Sequence, residues 1–417
     1  MQLEKLTLVN YRGFPNTTID FDGKSVVFFG INGVGKSSII KSICTVLSQT
    51  INRVTGNQFK QQITLGSDDV RFGTSVLEIT GVFSMYESGK YSLNVSYNKK
   101  LGAKSTNRKE LAAFADAFNS CYMHEGATLP VFAYYGVNRV VLDIPLRIRT
   151  KHEFGRLESY QNAISTKTDF RTFFEWFRNQ EDLENEIKVK TNNFHYKDHC
   201  LEATRSAITK MLPELSNIRI ARKPLRMCAT KHGQTLSMEQ LSDGEKCVVA
   251  MLGDLSRRLA LANPHLSNPL LGTGIVLIDE IELHMHPSWQ RKIISVLQEI
   301  FPNVQFIITT HSPMVLGELN NKFKVFGLLR DDKDIEIEKM AVGYYDANLI
   351  LEDKMRTPSI NPQVAEVEEQ IWLCLEQQDF VSAEKHMGEL RALTNNTHPS
   401  IIKAQILIQR GKRRLGG

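Results

Sequence analysis

No run of this 417-residue chain is apolar for long enough to cross a bilayer. Its first residues, Met1-Gln2-Leu3-Glu4-Lys5-Leu6, alternate polar and apolar and do not build the apolar core of a secretion signal. These two absences argue against a membrane-embedded or secreted protein and set the expectation of a soluble, cytoplasmic one without a membrane partner. Cysteine is sparse: Cys44, Cys121, Cys200, Cys228, Cys247 and Cys374 are scattered, with no C-x-x-C pair. That excludes a disulfide framework and fits free thiols in a reducing compartment. Charge of one sign is not in excess either. Lys and Arg number 51 against 46 Asp and Glu, a net +5 mixed through the chain. Such a balance permits contact with DNA or RNA without arguing for it. The apolar fraction, 42%, is ordinary, and the length suits one large α/β domain with additions, or two to three domains.

The strongest local signal is Gly30-Ile31-Asn32-Gly33-Val34-Gly35-Lys36-Ser37. An apolar run, Ser25-Val26-Val27-Phe28-Phe29, precedes it, and Ser38-Ile39-Ile40-Lys41-Ser42-Ile43 follows with helical spacing of its apolar residues. Strand, glycine turn and helix are the setting in which G-x-x-x-x-G-K-[ST] becomes a phosphate loop. The candidate nucleotide-binding residues are Gly30, Asn32, Gly33, Val34, Gly35, Lys36, Ser37 and Ser38. The glycines let backbone N–H groups curl around the phosphates of ATP, and the helix N-terminus adds a favourable field. Lys36 is expected to reach the terminal phosphates and Ser37 to ligate Mg²⁺. Arg12, at an Arg-Gly-Phe-Pro turn, is either a further phosphate contact or a surface arginine.

Three later stretches complete a pattern. Leu241-Ser242-Asp243-Gly244-Glu245 opens a helical run to Leu261, where a hydroxyl and N–H groups can face an anion. Gly274-Ile275-Val276-Leu277-Ile278-Asp279-Glu280 reads as a buried parallel strand ending in two acids. Asp279 is expected to hold the Mg²⁺ shell and Glu280 to polarise the attacking water. Val304 to Thr310 reads as another strand, stopped at His311-Ser312-Pro313, with His311 within reach of the γ-phosphate.

With these motifs the chain resembles ABC-type ATPases of the SMC, RecF and OLD group. Lys36 and Ser37 fall on the Walker A positions, Asp279 and Glu280 on Walker B, Ser242, Gly244 and Glu245 on the signature, and His311 on the switch histidine. The resemblance implies an α/β head with a mixed sheet and a head-to-tail homodimer or higher oligomer that sandwiches each nucleotide between one subunit's Walker motifs and the other's signature. Asp243 stands where that group commonly has glycine; a carboxylate near a phosphate is repulsive, so Asp243 is expected to point away, capping the signature helix. Asn138 is a candidate Q-loop residue by position. His284-Met285-His286-Pro287 falls where the group has its D-loop, and packing at a dimer interface suits the two histidines better than a metal.

We therefore expect an N-terminal part of the head over residues 1–140, a helical insertion over 141–230, a C-terminal part of the head over 231–345 and a helical region over 346–417. About a hundred residues between Gly136 and Leu241 are too few for a long coiled coil. Within them Phe170, Phe173, Phe174, Trp176 and Phe177 mark one apolar helix face, which reads as packing. His195, His199 and Cys200 have spacing a metal can use but no second ligand cluster nearby. Arg139, Arg147, Arg149, Lys151 and Arg156 read as solvated charge, whereas Arg219, Arg222, Lys223 and Arg226 are the best candidate patch for nucleic acid or a partner. Phe323 to Leu329 and Ile335 to Ala341 read as a hairpin around Asp332-Lys333-Asp334, so that D-x-D pair is a turn and no built-in nuclease is expected.

The ending narrows the resemblance. The segment Asn348-Leu349-Ile350-Leu351 and the hairpin around Asp379-Phe380-Val381-Ser382-Ala383-Glu384, added to the ATPase motifs, resemble the PtuA family, the ATPase subunits of Septu anti-phage systems, and the related ATPases that accompany some retrons. This implies a part in bacterial antiviral defence, with cutting by a separate HNH nuclease of the PtuB kind, and a reverse transcriptase as neighbour if the setting is a retron. Two other readings stay open: a RecF-like DNA-binding repair ATPase, and an ATP-gated scaffold with negligible turnover.

Overall fold

Alternating burial builds the first sheet. β1 (Gln2–Tyr11) buries Leu3, Leu6 and Leu8 and turns through Arg12-Gly13 into antiparallel β2 (Phe14–Asp20). The structure is a computed structural model that describes residues 1–61, 63–85, 89–124, 126–137, 154–165, 170–331, 334–340, 362–394 and 398–415. After β3 (Ser25–Phe29) and α1 (Lys36–Val54) come β4 (Val76–Met85), β5 (Gly89–Asn98), β6 (Ala103–Thr106), α2 (Arg108–Met123) and β7 (Val131–Tyr135). Helices α3 (Phe170–Thr191) and α4 (His199–Met211) lead into β8 (Leu215–Arg222), β9 (Leu225–Lys231) and β10 (Gln234–Ser237). Then follow α5 (Asp243–Ala262), β11 (Gly274–Ile278), α6 (Pro287–Ile300), β12 (Val304–Thr310), α7 (Pro313–Leu316), β13 (Phe323–Asp331) and β14 (Asp334–Met340). The chain ends in α8 (Pro362–Glu376), α9 (Phe380–Leu393) and α10 (Pro399–Leu415).

Two compact units result, Met1–Tyr345 and Asp346–Gly417. Among the described residues the first holds three sheets. A six-stranded mixed sheet, ordered β14-β13-β3-β12-β11-β7, is parallel except for its edge strand β14. Every residue of β11 and β12 is buried, as expected of parallel strands covered on both faces. A five-stranded antiparallel sheet, β2-β1-β4-β5-β6, carries the N-terminal meander. The expected α/β head with a mixed sheet is therefore present. Among the described residues no helix is long and apolar enough to cross a membrane.

The stretch expected to be a helical insertion is only partly helical. Its described residues contain α3 and α4 but end in the antiparallel sheet β10-β9-β8. Ile218 and Ile220 are buried while Asn217 and Arg219 are not, a period of two that the basic residues obscured. The aromatic face of α3 is core: Phe170, Phe173, Phe174, Trp176 and Phe177 are all buried, with Phe173 against Gly253 of α5. The second unit is a three-helix bundle around Ile371, Ala383, Met387, Leu390, Ile401, Ala404 and Ile408. Asn138, Arg139, Arg147, Arg149, Lys151, Lys333 and the segment 348–351 lie outside the described residues.

Candidate functional site

Parallel register decides where the site forms. Thr310 on β12 stands opposite Phe29 on β3, and Ile308 opposite Ile278 on β11. Three neighbouring strands therefore end at one edge of the sheet, and their next residues are Gly30, Asp279 and His311. This is the edge at which open α/β sheets bind ligands.

Gly30, Gly33 and Gly35 have φ of 154°, 79° and 112°. Side chains rarely adopt these angles. A Cβ at Gly30 would stand 2.8 Å from the Leu328 carbonyl oxygen and one at Gly35 2.6 Å from Ile335, whereas at Gly33 nothing lies within 4 Å. Packing within the chain accounts for the first two glycines, and the loop has open room at the third. Lys36 opens α1 and is 5% exposed. Its Nζ donates to the carbonyls of Gly30 at 2.7 Å and Ile31 at 3.0 Å. Burial lowers its pKa against the pull of Glu280, Glu282 and Asp279. The first turn of α1 holds no acid, so its N–H groups keep their positive field.

Thr309 fastens the acids. Its hydroxyl donates to Asp279 Oδ1 and accepts the Glu280 N–H at 2.9 Å, and its carbonyl accepts the Ile281 N–H at 3.1 Å. Glu280 is thereby held at φ 48°, a left-handed conformation uncommon outside glycine and frequent at functional sites. Ser37 Oγ donates to Asp279 Oδ1 at 3.1 Å, joining the phosphate loop to the acidic strand end. A hydroxyl and a carboxylate side by side are the hard oxygen set that Mg²⁺ takes. Beside them Glu282, 5% exposed, accepts the His311 N–H at 2.6 Å. The other Glu282 oxygen is buried without a hydrogen bond, a polar atom with no partner among the described residues. Open room at Gly33, an unpaired buried carboxylate oxygen and an oxygen donor pair together fit a Mg²⁺-bound triphosphate.

The signature residues sit elsewhere on the same unit. Ser242 caps α5 through a reciprocal capping box with Glu245: Ser242 N–H and Oγ both donate to Glu245 Oε2, at 2.9 and 2.8 Å. Glu245, 4% exposed, is braced by Lys231 at 2.7 Å; burial would raise its pKa, but Lys231 and Ser242 together hold it below the ordinary carboxylate range. Gly244 allows a close backbone approach, since a Cβ there would lie 2.3 Å from the His284 carbonyl oxygen. Asp243 does not cap the helix. It stands in the first turn, 63% exposed, and pairs with Lys246 at 3.2 Å, because Ser242 already holds the cap position.

A family model described as "AAA domain, putative AbiEii toxin, Type IV TA system" matches residues 25–317, from β3 through α7. The chain belongs to this AAA-domain family. The "Retron Vc95 probable ATPase" of Vibrio cholerae serotype O1 biovar El Tor is 30% identical, over 77% of this chain and 72% of that protein. The "Septu protein PtuA" of Bacillus thuringiensis is 24% identical, over 88% and 89%. Among solved structures, an SMC head bound to the C-winged helix domain of ScpA shares the fold with a TM-score of 0.50, at 17% identity over 82% of this chain and 98% of that one. The AAA-domain ATPase therefore has an SMC-like head and retron and Septu relatives.

Three residues of the AAA-domain site escaped the sequence reading. Thr309 lies inside the strand run Val304 to Thr310, and Glu282 stands two residues beyond Glu280 with no motif of its own. The spacing Asp279-Glu280-Ile281-Glu282 was the only trace of the latter. Asp69 gave no signal, yet it is 5% exposed and grips Arg12, whose Nη1 donates to Ser38 Oγ at 2.9 Å. Arg12 is thereby tied to the start of α1, beside the phosphate loop. Within the basic run Lys223 and Arg226 are exposed, while Arg222 pairs with Glu181 at 3.0 Å and with Asp182, at a cavity of about 890 Å³ lined also by Glu184, Arg205 and Arg219. Among the described residues, no three His, Cys, Asp or Glu stand close enough to hold a metal ion. His199 Nε2 lies 3.4 Å from Cys200 Sγ and 3.4 Å from the Pro264 carbonyl oxygen.

Proposed function

We propose that this chain binds ATP with Mg²⁺ and hydrolyses it between two copies of itself, and that the nucleotide state controls a separate HNH nuclease in an anti-phage defence system. The observation that carries the reading is the Ser37–Asp279 hydrogen bond, which joins residues 242 apart in sequence into one oxygen donor pair beside the phosphate loop. The retron and Septu relatives support the setting.

In this reading Lys36 and the N–H groups from Gly33 to Ser38 bind the terminal phosphates. Ser37 and Asp279 hold Mg²⁺, which when bound neutralises phosphate oxygens. Glu280, its backbone pinned by Thr309, accepts the proton of the attacking water. His311, set by Glu282, contacts the γ-phosphate. Ser242, with Gly244 and Glu245 behind it, is exposed on the head and donates to the nucleotide of the opposite copy. Cleavage of nucleic acid is left to the partner.

Steady-state phosphate release with and without ATP-driven dimerisation tests the proposal. Glu280→Gln is expected to retain ATP binding, lose about 10²- to 10⁴-fold in turnover and accumulate as a dimer with ATP. Turnover at the wild-type rate would remove Glu280 from its role, and a mass unchanged by ATP would remove the paired site.

A further inference from the structure

The C-terminal unit carries opposite charge on its first and third helices. α8 contains four glutamates, Glu366, Glu368, Glu369 and Glu376, and neither lysine nor arginine. α10 contains five basic residues and no acid. Each turns one side into the core around Ile371, Leu390 and Ala404. The outward sides are not ordinary polar surface. On α10, Ile402 is 66% exposed and Ile406 and Leu407 are 45% exposed, flanked by exposed Lys403 and Arg410. Residues 403, 407 and 410, and 402 and 406, recur at three and four, so these side chains share one broad stripe. On α8, Glu366, Glu369, Leu373 and Glu376 recur at the same spacing, and Leu373 is 47% exposed among exposed carboxylates.

An apolar stripe edged with positive charge on one helix of the bundle, and a leucine edged with negative charge on another, are the two halves of one contact. Stacked helical units bury such faces on their neighbours, and a terminal face left in water is normally polar. We propose that α10 of one copy packs against α8 of a second copy, so that C-terminal units associate end to end. Charge complementarity selects this occupant: with the helices antiparallel, Arg410 meets Glu366 and Glu369 and Lys403 meets Glu376, while Ile402, Ile406 and Leu407 cover Leu373. A nucleic-acid backbone would use the basic residues but leave three branched aliphatic side chains in water. The contact joins two different faces, so it can extend or close into a ring. It needs no nucleotide and goes beyond the paired ATP site proposed above. If both hold, nucleotide-clasped pairs are linked into larger assemblies.

Sedimentation velocity of the nucleotide-free full chain over a concentration series tests the contact. The wild type is expected to gain mass with concentration. Lys403→Glu with Arg410→Glu, and separately Glu366→Lys with Glu369→Lys and Glu376→Lys, are each expected to weaken association at least about tenfold. Mixing the two variants restores a two-chain species, and the chain with all five reversals associates like the wild type, which excludes misfolding as the cause. A wild-type mass independent of concentration overturns the proposal. So do reversals that leave association unchanged, and α10 reversals that abolish only the binding of an added DNA or RNA oligonucleotide. ATP-driven dimerisation of Glu280→Gln is expected to survive all the reversals, so failure of this contact and failure of the paired ATP site are read separately.

Discussion

The His311 main-chain N–H donates to Glu282 Oε1 over 2.6 Å, and the His311 ring nitrogen Nδ1 stands 3.0 Å from the same oxygen. One carboxylate thus ties the loop after β12 to the loop after β11 and stands beside the His311 imidazole. Glu282 acts through His311, so Glu282→Gln should lower kcat about 10- to 100-fold while KM for ATP changes little. His311→Ala should give a similar loss, and the double variant no further one. Steady-state kinetics of the cycle decide it; fully additive losses would show that the two residues work independently.

Gly244 is buried against the His284 carbonyl oxygen, with the Trp289 ring 3.3 Å from the position a Cβ would take. Backbone cannot swing aside like a side chain. Gly244→Ala is therefore expected to push the start of α5 off the loop after Asp279-Glu280, at about 1–3 kcal/mol of stability. ATP turnover should fall by more than the stability loss accounts for, because Ser242 moves with its helix. Denaturant unfolding and phosphate release on the same preparation compare the two. Wild-type turnover would mean that the position of this helix tip does not matter.

Arg12 divides its guanidinium between Ser38 Oγ and the buried carboxylate of Asp69, to which it donates at 3.0 and 2.9 Å. Removing it leaves Asp69 with Lys41 at 3.7 Å and the Gly66 N–H. Arg12→Ala should cost about 1–2 kcal/mol of stability, discounted for the exposure of the arginine, and raise KM for ATP several-fold. Arg12→Lys keeps the charge but not the fork and should fall between the two. Thermal unfolding and nucleotide titration measure both effects, and an unchanged KM would confine Arg12 to a structural part.

Asp254 anchors the interior of α5. It is 1% exposed and binds Arg257 at 2.8 Å, Arg258 at 2.7 Å and the Tyr135 hydroxyl at 3.0 Å. Burial alone would raise its pKa, but Arg258 and Arg257 outweigh it and hold the carboxyl below the ordinary range. A depressed carboxyl stabilises the fold above its unfolded pKa, and that contribution is lost as pH falls through the folded one. Asp254→Asn should destabilise the protein by about 3 kcal/mol near neutrality, by leaving two buried guanidinium groups uncompensated. The gap from wild type should narrow as pH drops below about 4. Urea unfolding at several pH values shows this, and a gap independent of pH would contradict it.

What the sequence determined by itself is the set of elements whose requirements are local. A turn that needs glycine at positive φ and an apolar run long enough for a covered strand are each written in a few adjacent residues, and so the phosphate loop, β11 and β12 were legible, whereas the cap of α5, expected of Asp243, is held by Ser242. The small β8-β9-β10 sheet was not, because Arg219, Arg222 and Arg226 hid its two-residue alternation behind what looked like a basic patch, and only folding supplied Glu181 and Asp182 to neutralise Arg222. Tertiary structure alone decided that Thr309 pins both acids, that Glu282 sets His311, and that Asp69 turns Arg12 toward Ser38. Each of these depends on parallel register and loop packing, which bring together residues 29, 29 and 57 positions apart, and no local pattern encodes such a distance.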